Sequence, residues 1–182
     1  MRKNFIILFL IFLISEASAS IKEKIIKNLK STNNLTFNFE QNINDKIENG
    51  KCTLSYPKKI YCKYNLSNQK TLVSNGKSIV IKTSSSYYLY PLDRTPLNLI
   101  LDKDYLLNKI TNIEERVIDE KFINYKFFEN DHEINVFFDY DTHNLIGWQT
   151  IDIYQNLSIT FLSSVMKNQK LKNNLFNLPK RN

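Results

Sequence analysis

The sequence predicts a mainly β fold with helices: one helix, then a long antiparallel meander that a second, strongly apolar helix interrupts once. Three observations carry this. From Leu35 to Tyr64, apolar and polar residues alternate with period two: Leu35, Phe37, Phe39 and Ile43 lie an even number of residues apart, as do Cys52, Leu54 and Tyr56, and then Ile60, Cys62 and Tyr64. That period sends alternate side chains to opposite faces of a sheet, one apolar and one wet. Aromatic residues make up 13% of the 182-residue chain, which favours strands over helices. Short polar turn signals recur between the apolar runs, with neither an internal repeat nor a low-complexity linker, so one domain is expected.

The elements follow in order. Arg2 and Lys3, the apolar run Phe5 to Ile14 and the small residues Ala17-Ser18-Ala19 have the layout of a cleaved signal peptide, residues 1–19. The run is well short of the roughly 20 residues a spanning helix needs, so the chain from Ser20 to Asn182 is expected to be exported and soluble. Ser20 to Ser31 predicts an amphipathic helix capped by Ser20, with Ile21, Ile25, Ile26 and Leu29 on one stripe. The three strands between Leu35 and Tyr64 come next, the last two turning at Pro57. Asn75-Gly76 predicts a type I′ hairpin, and Tyr87 to Tyr90 another strand. Thr95-Pro96 predicts a helix start, with Thr95 as cap and Leu97 to Leu101 apolar almost all round; Asp104 to Ile110 extends it by a turn or two. A helix that apolar has to be covered on most sides. Strands are then expected at Ile113–Asp119, Phe122–Glu129, Glu133–Tyr140, Gly147–Tyr154 and Leu157–Leu162, with a short strand or extended segment at Asn174–Pro179.

Composition and motifs exclude several functions. The net charge is +7, but the lysines are dispersed rather than clustered on one face, which argues against nucleic acid. His132 and His143 fall near turns, with no nucleophile or second ligand in a matching position, and Asp139 and Asp141 are ordinary turn residues. Three glycines leave no room for a phosphate-cradling loop, and no nucleophile elbow or dinucleotide fingerprint occurs. No catalytic residue, metal site or cofactor is expected. Charges on both strand faces and the interrupting helix fit poorly with an outer-membrane barrel. Cys52 and Cys62 flank the turn at Pro57 and lie opposite one another if the strands pair about it; a disulfide and two buried thiols are both open readings.

Five ordered segments carry a family resemblance. Phe37-Asn-Phe-Glu-Gln41, the hairpin Gly50 to Pro57 with Ile60 to Tyr64, Leu72-Val-Ser-Asn-Gly76, Thr95-Pro-Leu-Asn-Leu-Ile-Leu101 and Phe176-Asn-Leu-Pro179 together resemble the outer-membrane lipoprotein carrier family, LolA, in its alphaproteobacterial form. The resemblance implies an unclosed antiparallel β-barrel, a half-barrel whose apolar concave face lies under a helical lid. It implies a periplasmic chaperone that is a monomer and not an enzyme. Such a chaperone takes acylated lipoproteins from an inner-membrane ABC transporter and passes them to an outer-membrane receptor; a LolA-like module that binds or senses another apolar ligand is the alternative. The expected lipid-binding residues are Phe37, Phe39, Leu54, Tyr56, Ile60 and Leu72 on the sheet. Leu97, Ile100 and Leu101 would join them from the lid. Tyr56 stands where many members have an Arg that bonds to lid backbone, so lid attachment is expected to differ here.

Overall fold

The structure is a computed structural model and describes residues 19–129, 132–151 and 155–181. The predicted signal peptide lies, but for its last residue, outside the described residues, as do the end of the predicted strand Gly147–Tyr154 and the side chain of His132.

Helix α1 (Ile21–Ser31) starts as predicted. The Ser20 hydroxyl accepts from the Glu23 N–H at 3.2 Å and the Glu23 carboxylate accepts from the Ser20 N–H at 2.9 Å, a reciprocal capping box. Ile25 and Leu29 are buried, and Ile21 and Ile26 pack against the same core.

Ten residues of β1 (Asn34–Ile43) pair in full register with β2 (Lys46–Ser55), which turns at Pro57 into β3 (Lys59–Tyr64). The meander continues through β4 (Thr71–Asn75), β5 (Ser78–Lys82) and β6 (Tyr87–Pro91). A 3-10 turn (Leu92–Arg94), α2 (Leu97–Ile100) and α3 (Lys103–Asn112) follow. The second run of strands is β7 (Arg116–Ile118), β8 (Phe122–Glu129), β9 (His132–Asp139), β10 (Leu145–Ile151) and β11 (Leu157–Lys167). Among the described residues all eleven strands form one antiparallel sheet in the order β6-β5-β4-β3-β2-β1-β11-β10-β9-β8-β7. The sheet is not closed. The first and last strands meet at its centre, and β6 and β7, consecutive in the chain, are its two edges. The connection between those edges therefore crosses the concave face, and it is made of α2 and α3. A sheet of this many twisted strands curls, and the helices fill one end of the trough. There Phe37 and Leu54 from the sheet, Ile25 from α1, Ile100 and Leu101 from α2 and its end, and Leu106 and Ile110 from α3 belong to one buried core.

Two local expectations are corrected. Thr95 does not cap α2: its hydroxyl donates to the Leu92 carbonyl at 2.8 Å and closes the 3-10 turn instead. The real side-chain cap is Asp102, whose Oδ1 accepts from the Tyr105 N–H at 3.1 Å and starts α3 as a separate helix. Asn75-Gly76 is not type I′, because Gly76 alone has a positive φ (98°); Asn75 Oδ1 accepts from the N–H groups of Lys77 and Ser78, both at 3.0 Å, and folds the turn around its own side chain. At the C-terminus residues 173–176 form a turn, and of the two readings for Asn174–Pro179, short strand or extended segment, no strand is found among the described residues.

Gly50 is fixed by close approach rather than by a turn. It lies opposite Phe39 on β1 and Tyr64 on β3, whose rings meet edge to face over it at 4.9 Å. A Cβ here would stand 2.2 Å from the Lys63 carbonyl oxygen and 2.9 Å from the Tyr64 Cα. Gly50→Ala is expected to cost about 1–3 kcal/mol by overpacking, read as a lower urea midpoint at unchanged slope.

Candidate functional site

The end of the trough that α1 and α3 leave uncovered is a cavity of about 330 Å³. Its apolar wall comes from alternate residues of successive strands: Phe39 of β1, Ile60 of β3, Leu72 of β4, Ile79 and Ile81 of β5, and Trp148 of β10. Leu97 of α2 forms part of its cover. Cys52 and Cys62 are register partners joined by a disulfide, and the bridge lies in the wall. The mouth lies at the hairpin end of β1 and β2, where Ile43 pairs with both Lys46 and Ser158.

Phe39, Ile60, Leu72 and Leu97, expected on the apolar face, line this cavity. Phe37, Leu54, Ile100 and Leu101 share the apolar interior but are 0–1% exposed and packed in the helix-covered core. Phe37 meets Trp148 of the cavity's wall, ring edge to face at 6.3 Å. Tyr56 packs against the core at its margin. The alternation fixes which face a residue takes, but not how far along the strand the helices reach. Sequence reasoning missed Ile79, Ile81, Tyr90 and Trp148; extending the period-two reading through Ser78–Lys82 and Leu145–Ile151 was the signal available.

It also missed a row of polar side chains in the wall. Glu48 of β2 is 4% exposed, yet it faces the cavity. Lys70 Nζ pairs with its Oε2, and Lys46 Nζ approaches Oε1 at 3.4 Å. Lys70 also sits over the Tyr64 ring, 4.2 Å from its centroid. Burial first, then the charge of Glu48, raises the Tyr64 phenol above its usual range and keeps it neutral. Tyr64 Oη donates to Gln41 Oε1 at 3.4 Å, and Gln41 Nε2 donates to Ser158 Oγ at 2.8 Å. Among the described residues no group of three or more His, Cys, Asp or Glu is placed to hold a metal ion, and no helix is long and apolar enough to cross a membrane.

Residues 30–179 match the model of the family described as outer membrane lipoprotein carrier protein LolA. The chain belongs to the LolA family. No curated protein sequence matches it. Among solved structures, it is similar to an uncharacterised conserved protein from Thermus thermophilus at 7% identity and a TM-score of 0.49, covering 88% of this chain and 93% of that one. A LolA superfamily protein from Nitrosomonas europaea is similar at 8% identity and a TM-score of 0.43, with 88% and 99% covered. The lipoprotein LppX of Mycobacterium tuberculosis is similar at 12% identity and a TM-score of 0.44, with 84% and 96% covered.

The helices of this LolA-family chain are tied to the sheet without the arginine. Burial pushes the Tyr56 phenol up, and its hydroxyl has no hydrogen-bond partner among the described residues. Lys58, two residues on, makes the attachment. Its N–H donates to the Leu101 carbonyl at 2.8 Å and its Nζ meets Asp102 Oδ2 at 3.1 Å, while the other oxygen of Asp102 caps α3. Lys103 Nζ donates to the Thr32 carbonyl at 3.0 Å and binds α3 to the end of α1. In a double-mutant cycle Lys58 and Asp102 should couple by about 0.2–1 kcal/mol, since the pair is partly exposed, and the coupling should shrink with added salt. Amide exchange over residues 97–106 should rise in Lys58→Ala. It should stay at the wild-type level in Tyr56→Phe, which removes only an unpartnered hydroxyl.

Proposed function

We propose that this protein is a periplasmic carrier that shields the acyl chains of lipoproteins on their way from the inner to the outer membrane. In this reading residues 1–19 are a signal peptide and residues 20–182 one exported domain that acts as a monomer, without cofactor or catalytic residue. Its partners are acylated lipoproteins, an inner-membrane ABC transporter that loads it and an outer-membrane receptor that unloads it.

The observation that carries the reading is an apolar cavity under a helical cover in a LolA-family chain. Every methylene moved from water into it contributes about 0.8 kcal/mol, and a disulfide-bridged antiparallel wall keeps the space from collapsing. Size sets the mode of loading. A cavity of 150 Å³ takes the six carbons of benzene, so about 330 Å³ takes roughly a dozen. That is less than one long acyl chain, so a lipoprotein anchor enters only as Leu97 and the rest of α2 move off the trough. The same limit supports a second reading, in which the cavity binds or senses a smaller apolar ligand.

Native mass spectrometry of protein purified from the periplasm tests both. The carrier reading expects an acylated lipoprotein bound one to one and released by detergent. Fatty acid or phospholipid alone would favour the second reading, and a bare mass with no uptake of an acylated peptide would overturn both. Leu72→Glu, which sets an unpaired carboxylate in the apolar wall, should lower retention of acylated peptide at least tenfold.

A further inference from the structure

The polar row crosses the cavity at one depth. Outward along β1 the concave face presents Phe39, then Gln41, then Ile43; along β11 it presents Leu162, then Thr160, then Ser158. Gln41 is the register partner of both Thr160 and Glu48. Most of the row is occupied with itself: Gln41 holds Ser158 and Tyr64, and Glu48 holds Lys70 and Lys46. Thr160 is different. It lines the cavity, is 4% exposed, and its hydroxyl has no hydrogen-bond partner among the described residues. Buried hydroxyls are normally paired.

We infer that Thr160 donates to the carbonyl of an acyl ester or amide, so that the cavity reads the junction between a chain and its head group as well as the chain itself. The inference rests on the carrier reading above. A carbonyl oxygen accepts and cannot donate, which suits a hydroxyl with a free proton. The buried cation, Lys70, is already matched by Glu48, and the second lysine on that carboxylate, Lys46, is 73% exposed to solvent, so the buried part of the row suits a neutral acceptor. With the carbonyl at the row, the roughly dozen carbons that fit the cavity lie beyond it among Phe39, Leu72 and Ile60.

Two probes of equal chain length separate the possibilities: 1-dodecanoylglycerol, an ester, and 1-O-dodecylglycerol, its ether, titrated by calorimetry into the mature protein. The ester should bind about three- to tenfold more tightly, the yield of one added hydrogen bond. Thr160→Val should bring the ester down to the ether's affinity, and Thr160→Ser should restore the preference. Equal binding of both probes to the wild type, or a preference that survives Thr160→Val, overturns the inference and leaves the carrier reading standing. If neither probe binds, both fall.

Discussion

The pairing of β1 with β11 at the centre of the sheet determines the rest of the architecture. Once the first and last strands are neighbours, the chain has to lay one meander outward from β1 to β6 and a second back from β7 to β11. Edges β6 and β7 then lie at opposite sides of a curled sheet, yet a single connection joins them. That connection has to cross the trough, and a segment crossing an apolar trough is stable only if it is itself apolar. Leu97, Ile100, Leu101, Leu106 and Ile110 meet this requirement. The helical cover is a consequence of topology before it is a device for binding.

The covering helices do not reach the whole trough, and their attachments show where they stop. Helix α1 is joined to α3 and the chain beyond it through Lys103 to Thr32 and Lys22 to the Ile113 carbonyl, at 2.8 Å. The β2–β3 turn holds the start of α3 through Lys58 and Asp102. The Thr32 and Lys58 attachments lie near the Asn34 end of β1, since Thr32 precedes that strand and Lys58 follows the Asn34–Ser55 pair by three residues. Toward the Ile43 end, Leu97 and its neighbours Thr95 and Pro96 line the cavity from above the sheet. The cavity is the part of the concave face that this short stretch bridges.

Much of this was legible in the chain because it is local. Ser20 and Glu23 signal the start of α1, the Cys52 and Cys62 spacing about Pro57 gives the register in which they meet, and Phe122–Glu129 is bounded as read. The misses are of two kinds. At Thr95 and Asn75 the side chain bonds within its own turn, to the Leu92 carbonyl and to the Lys77 and Ser78 N–H groups, where the sequence predicts a helix cap and a type I′ turn. At Glu48 the difficulty is distance along the chain. A charged residue at an inward position contradicts the apolar pattern unless its partner is known, and Lys70 is 22 residues away. Whether Phe37 or Phe39 reaches the cavity depends likewise on where α1 and α3 end over the sheet, which no spacing within β1 encodes.

Glu48 and Lys70 are a poor way to stabilise a sheet. Taking both charges out of water costs nearly what their attraction returns, and apolar residues of similar volume would serve the fold as well or better. What the pair supplies is position. It holds Lys70 against Tyr64, whose hydroxyl meets Gln41, and so keeps a polar level intact between the apolar depth at Phe39 and the mouth at Ile43. Hydrocarbon sliding inward gains with each methylene it buries below that level. Above it, the same hydrocarbon would cover hydrogen-bonding groups that it cannot satisfy. On the carrier reading proposed above, the change in the chemistry of the wall would set the depth at which a chain comes to rest, and α2 would set how much chain can enter.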